Sequence, residues 1–187
     1  TLVEGTESVI TDAESYVYED ATVDEPNAAI FSKDDLKING TGSLIVNANY
    51  NNGIASKDDL DIKNGDITIN AVNNGLKGKD SIEIDNGTFV INSGGDAIKS
   101  DNTTDTTKGW ITINNGTFNL TATGDGIQAE TDLLINGGKM SKSLGNVYLL
   151  QDLIDKGYSP LVYKMFNFTS NYRNQINFTF EAMDSAK

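Results

Sequence analysis

Residues 51–72 read NNGIASKDDLDIKNGDITINAV, and residues 73–94 read NNGLKGKDSIEIDNGTFVINSG. The second stretch repeats the first position by position, and the repeat continues on both sides. NAAIFSKDDLKINGTGSLIVNAN (27–49) precedes it. GDAIKSDNTTDTTKGWITINNGTFNLTAT (95–123) and GDGIQAETDLLINGGKM (124–140) follow. Ile30, Ile54, Leu76, Ile98 and Ile127 fall into one column, at spacings of 24, 22, 22 and 29 residues, and the longest spacing carries an insertion around Asn102–Lys108. A period near 22 marks stacked structural repeats.

More columns run in step. Leu36, Leu60, Ile82, Ile111 and Leu133 form one, and Ile38, Ile62, Ile84, Ile113 and Ile135 another. Leu44, Ile67, Phe89 and Phe118 align, with Val46, Ile69, Ile91 and Leu120 two residues later. Within each repeat the apolar positions alternate with polar ones, the period of a half-buried strand and not of a helix. Asn64-Gly65, Asn86-Gly87, Asn115-Gly116 and Asn136-Gly137 punctuate the runs as turns. Short strands, tight turns and this period predict a right-handed parallel β-helix of about five coils, each coil burying its ladder on its neighbours. Asn47, Asn70 and Asn92 recur at one position and read as an amide ladder along the stack. SVITDAESYVYED (8–20) alternates less cleanly and reads as a degenerate first coil.

The chain has 187 residues, no Cys and no His. That excludes disulfides, thiolate zinc sites and every His-based acid, base or triad mechanism. No apolar run reaches the roughly 20 residues of a membrane span. Residues 1–138 hold eight Lys+Arg against 23 Asp+Glu, a net of −15, whereas residues 139–187 hold six against four, a net of +2. So acidic a body repels nucleic-acid phosphates, and it takes an anionic ligand only through a bridging cation or a local Lys cluster.

Two residues before the aligned aliphatic column stand Ala28, Asn52, Asn74, Asp96 and Asp125. Three residues after it stand Lys33, Lys57, Lys79, Asp101 and Glu130. In a parallel stack equal positions lie about 4.8 Å apart. Asp96 then sits beside Asp125 and Asp101 near Glu130, with Asn74 extending the row. Two readings stand: a calcium site, since a hard cation held by several oxygens compensates the like charges, or Asp residues capping turns in solvent. Lys77 and Lys99 form a further row, either contacting an acidic sugar or forming a solvated ladder paired with Asp. Tyr50 and Trp110 lie at coil edges, where aromatic rings either stack on sugars or pack. The SKDDL pair (32–36 and 56–60) places Asp34 over Asp58 and Asp35 over Asp59, beside Lys33 and Lys57, as a surface salt network.

PNAAIFSKDDLKINGTGSLIVNANYNNGIASKDDL (26–60), NNGLKGKDSIEI (73–84), GGDAIKSDN (94–102) and GDGIQAETDLLINGG (124–138) closely resemble the secreted bacterial carbohydrate-binding β-helix proteins. That family is similar in fold to calcium-dependent pectate lyases. The resemblance covers residues 1–138 and implies binding of acidic sugars and cellulose with bound calcium. It strengthens the reading of Asp96, Asp101, Asp125 and Glu130, with Asn74, as calcium ligands, and it implies that further coils precede residue 1. An extracellular or cell-surface location follows for this parent.

From Lys139 the period of two stops. LLQDLIDKGY (149–158), SPLVYKMFNFTSNY (159–172) and FTFEAMDSAK (178–187) carry helical spacing, with Ser159-Pro160 as a helix start. KMSKSLGN (139–146) and the residues after it resemble cysteinyl-tRNA synthetase, a cytoplasmic enzyme, from its signature loop onward. In that family the lysines matching Lys139 and Lys142 stabilise ATP phosphates. This chain lacks the nucleotide-binding half and the Cys/His zinc site, so the loop is vestigial and synthetase activity is rejected. The two resemblances in one chain imply a chimera, natural or engineered.

The expectation is therefore a mainly-β parallel solenoid over 1–138, capped by two to three helices over 139–187. Its function is calcium-assisted, non-catalytic binding of acidic plant polysaccharide, with no nucleic-acid or membrane partner. It is a monomer, or a dimer through the C-terminal helices. A calcium-dependent pectate lyase using Lys77 or Lys99 as base, and a chimera without ligand function, are the alternatives.

Overall fold

A computed structural model describes residues 1–20 and 22–136. They contain fifteen strands and no helix. A lone strand, β1 (Glu7–Thr11), comes first. The first full coil holds β2 (Ala28–Ser32), β3 (Leu36–Ile38) and β4 (Ser43–Ala48), and the next holds β5 (Asn52–Ser56), β6 (Asp59–Ile62) and β7 (Asp66–Ala71). Then come β8 (Leu76–Gly78), β9 (Ser81–Ile84) and β10 (Thr88–Ser93), followed by β11 (Ile98–Ser100), β12 (Trp110–Ile113) and β13 (Thr117–Ala122). Strands β14 (Ile127–Ala129) and β15 (Leu133–Ile135) end the described chain.

Every pairing is parallel, because each strand meets its counterpart one full coil later and the coil itself is the crossover that a parallel pair requires. Three five-stranded sheets result, in the orders β1-β4-β7-β10-β13, β2-β5-β8-β11-β14 and β3-β6-β9-β12-β15. The register pairs the residues that the repeat aligns. Ile54 faces Leu76, Leu60 faces Ile82, and Ile67 faces Phe89. Strand β1 joins the first sheet with Val9 opposite Ile45, so the residues expected to form a degenerate first coil contribute one strand to the stack.

The inward ladders are the core. Ile54, Leu60, Ile67, Leu76, Ile82, Phe89, Ile98 and Ile111 are all fully buried. Phe89 and Phe118 stack face to face at 4.8 Å with planes 4° apart, the geometry that parallel in-register strands impose on like side chains. Burial fades towards the last coil, where Phe118, Leu120 and Leu133 are only partly covered.

The sequence expectation needs one correction. A mainly-β fold closed by a C-terminal helical cap is not what is seen: the described residues are all-β, in three parallel sheets, with no helix among them. Residues 139–187, where the sequence places the cap, the dimerising helices, Lys139 and Lys142, lie outside the described residues.

The insertion between β11 and β12 is tied down by a buried carboxylate. Asp80 accepts from the Asn102 side-chain amide at 2.5 Å and pairs with the Lys108 ammonium at 2.5 Å. The Asn102 oxygen in turn accepts from the backbone N–H groups of Thr104 and Asp105, each at 3.0 Å. Burial pushes the Asp80 carboxyl up, but the hydrogen bonds from Lys108 and Asn102 outweigh it and hold the group below the usual carboxylate range.

Two predictions follow from these contacts. Ile82→Ala removes a fully buried side chain between Leu60 and Ile111, and should cost about 2–5 kcal/mol in urea unfolding; a loss under about 0.5 kcal/mol would contradict a close-packed ladder at that position. A carboxyl held lower in the folded than in the unfolded chain adds stability above its unfolded range, and that stability is lost as pH falls through the folded value. Asp80→Asn should therefore flatten the fall of the urea midpoint between neutral and acid pH, and an unchanged slope would show that Asp80 is not so coupled.

Candidate ligand-binding face

The second sheet carries its outward residues in one row: Phe31, Ala55, Lys77, Lys99 and Gln128. Alternation along each strand aims these positions away from the ladder of Ile54, Leu76 and Ile98. At the turn that follows, Lys57 and Lys79 come forward in the next row. Lys57, Lys77, Lys79 and Lys99 thus gather half of the lysines of residues 1–138 on one face of a body with net charge −15.

Each turn before these strands is stitched by a side chain. The Asn52 oxygen accepts from the Asn74 side-chain amide at 2.9 Å. The Asn74 oxygen accepts from the Asp96 backbone N–H at 3.0 Å, and the Asp96 oxygen accepts from the Asp125 N–H at 2.7 Å. Asp96 therefore occupies the place of an asparagine in a ladder, with a carboxylate in place of the amide. Its second oxygen has no amide to meet and accepts from the Lys99 ammonium at 2.7 Å. Burial pushes the Asp96 carboxyl up, but the Lys99 and Asp125 hydrogen bonds prevail and hold it low.

Asp101 is likewise engaged, by Lys77 at 2.8 Å. Lys57 binds Glu25, and that hydrogen bond raises the ammonium above its ordinary range. Glu25, Phe31, Ala55, Lys57, Lys77 and Asp101 help to line a recess of about 70 Å³. Lys79 is exposed on its rim and forms no ion pair among the described residues.

The residues read from the sequence as a calcium set are thus distributed between backbone and lysine partners. Asp96 and Asp125 meet, but through a carboxylate and a backbone N–H. Asp101 turns to Lys77, and Glu130 is exposed. Calcium takes six to eight oxygens. Among the described residues no group of three or more acidic side chains lies close enough to hold a metal, so the side chains do not form a complete calcium shell.

Tyr50 stacks on Tyr16 at 4.4 Å, and Tyr16 meets Tyr18 edge-on at 6.3 Å. Burial, then the hydrogen bond to Asp12, push the Tyr16 hydroxyl up to about 12. Trp110 is half-buried at the start of β12, opposite Ser81. Sequence reasoning missed Glu25, Tyr16 and Tyr18. The alternation in Ser15-Tyr16-Val17-Tyr18 was the available signal for the tyrosines, whereas the pairing of Glu25 with Lys57 has none in the sequence.

The chain matches the family described as "Carbohydrate-binding domain-containing protein" over residues 1–148. It matches "tRNA synthetases class I (C) catalytic domain" over residues 129–187. The matches overlap at 129–148, so the GGKM segment fits both. A "Carbohydrate-binding domain-containing protein" of Acetivibrio thermocellus is 54% identical over 144 residues, covering 77% of this chain and 50% of that one. The chain thus spans half the length of that relative. A "Cysteine--tRNA ligase" of Treponema denticola is 47% identical over 55 residues, covering 29% of this chain and 11% of the ligase. The solved "polysaccharide lyase-like protein from C. thermocellum", a gadolinium derivative, is similar with a TM-score of 0.63 and 38% identity, over 74% of this chain and 66% of that one. By its β-solenoid and by the match over residues 1–148, the chain belongs to the carbohydrate-binding domain-containing proteins.

Proposed function

We propose that the solenoid is a non-catalytic module that binds acidic plant polysaccharide of the polygalacturonate type outside the cell, with calcium as a bridging ion. The observation that carries this reading is the clustering of Lys57, Lys77, Lys79 and Lys99 on one sheet face of an otherwise strongly acidic body. The remaining four lysines of residues 1–138 are spread elsewhere. Lys37 and Lys63 pair with carboxylates of the third sheet and Lys108 with Asp80, so no other face of the described residues gathers as many ammonium groups to receive a polyanion. On this face it meets ammonium groups that can exchange a protein carboxylate for a uronate. Calcium fits as a shared ion: the chain supplies part of the oxygen shell, through groups such as Asp101 and Glu130, and the uronates and water supply the rest. Cellulose, which carries no charge, would bind without calcium and is the lesser ligand in this reading.

The ion pairs also support a binding role over a catalytic one. A lysine acting as base must offer a lone pair, and the Lys77 and Lys99 ammonium groups are each held by a carboxylate. The name of the similar polysaccharide lyase-like protein favours a second reading, β-elimination of the same polymer. Release of unsaturated uronate from polygalacturonate would decide for it.

Calorimetric titration of calcium and then polygalacturonate into chelator-treated protein tests the proposal. Binding should appear after calcium is added and should weaken with salt. Replacing Lys77 and Lys79 together by Ala should weaken it by about tenfold or more, equal to about 1.4 kcal/mol. Binding that is indifferent to calcium and to both lysines would overturn the reading.

A further inference from the structure

Seven Asn-Gly pairs punctuate the chain, at Asn39, Asn52, Asn64, Asn74, Asn86, Asn115 and Asn136. Most of them sit at turns, whereas Asn52-Gly53 opens β5, and the ligand face makes no use of most of them. An Asn-Gly pair is also a reactive unit, because the glycine nitrogen can reach the asparagine side-chain carbonyl carbon with no Cβ in the way. The six pairs that lie wholly within the described residues hold these groups in different geometries.

At Asn52 and Asn74 the reacting groups are occupied. The Gly53 N–H donates to the Asn74 carbonyl at 2.9 Å and the Gly75 N–H to the Asp96 carbonyl at 3.0 Å. Both asparagine side chains are buried in the turn ladder. The Asn86 side-chain amide donates a hydrogen bond to Asn64 Oδ1 at 3.5 Å. Asn115 is exposed and makes no side-chain hydrogen bond among the described residues. Asn39 differs from all of these. The Gly40 N–H points back at its neighbour's side chain, 2.8 Å from Asn39 Oδ1, which holds the nitrogen beside the amide carbon. The Asn39 backbone carbonyl, part of the same peptide group, accepts from the Leu2 N–H at 2.6 Å. A hydrogen bond to that oxygen polarises the peptide and makes its own N–H a better acid. Asn39 is also exposed and Gly40 half-buried, so water reaches the side-chain amide.

We propose that Asn39 is a self-modification site that deamidates ahead of the other Asn-Gly pairs in the folded protein. A base removes the Gly40 amide proton, and the nitrogen attacks Asn39 Cγ. The N–Cγ bond forms, the Cγ–Nδ2 bond breaks, and ammonia leaves with the proton. Water then opens the succinimide at either carbonyl, giving aspartate or isoaspartate. The net change is amide plus water to acid plus ammonia, with no redox step. The product carries one more negative charge. In its isoaspartate form it lengthens the backbone where Leu2 bridges Gly40, loosening the N-terminal segment at the end of the stack.

Peptide mapping after incubation in mildly alkaline buffer tests this, with isoaspartate detected by enzymatic methylation. In the folded protein Asn39 should convert faster than Asn115 by about tenfold, the gain being one of proximity, while Asn52 and Asn74 persist. In urea, where only local sequence acts, that lead should collapse. Asn39→Gln should abolish the early product. Conversion of Asn115 first or at an equal rate in the folded protein would overturn the proposal. So would a lead of Asn39 that survives in urea, since the fold would then contribute nothing.

Discussion

No coil of this protein can bury its own apolar residues. A coil has only three short strands, and its inward side chains are covered by the coil above and the coil below. The in-register contact between like aliphatics, Ile54 on Leu76 on Ile98, is therefore the interaction on which everything else rests. Register has no freedom here. A slip of one residue would turn each ladder outward and place lysines and aspartates in the core. The 22-residue period, the Asn-Gly turns and the tolerance of an insertion only at a turn are consequences of that single requirement.

The chemistry of the ligand face grows out of the same stacking. Asn52 and Asn74 satisfy the backbone of the next coil with neutral amides. At Asp96 the ladder continues with a carboxylate, which keeps the backbone bond to Asp125 and leaves one charged oxygen over. Lys99, three residues on, neutralises it, and Lys77 does the same for Asp101. The exchange of an amide for a carboxylate at Asp96 thus brings an ion pair with Lys99 onto the outward row of the second sheet, beside the pair of Lys77 with Asp101.

Much of this was legible in the sequence because the code is periodic. Every apolar column read from the repeat coincides with a register pair, from Leu36 with Leu60 to Ile113 with Ile135. The ion pairs were less legible. Alignment places like positions beside one another, so it sets Asp96 against Asp125, which do meet, and Asp101 against Glu130, but it is silent on their lysine partners. The structure pairs unlike positions within or across coils, Asp96 with Lys99 and Lys77 with Asp101, because opposite charges attract and side chains reach diagonally. Contacts made by the non-repeating N-terminal segment were not legible either. Glu25 on Lys57 and Tyr16 on Tyr50 bring residues outside the repeat onto it, and no period encodes their place. The helical spacing read over 139–187 belongs to a segment outside the described residues.

The proposed ligand, an acidic glycan, would lie along the outward row of the second sheet. Amide hydrogen exchange with and without polygalacturonate and calcium measures this directly. Added protection should concentrate in β8, β11 and the turns that follow them, at Leu76–Lys79 and Ile98–Asp101. Protection centred instead on the first sheet, at Thr68, Val90 and Asn119, or an unchanged exchange map in the presence of bound ligand, would contradict the account.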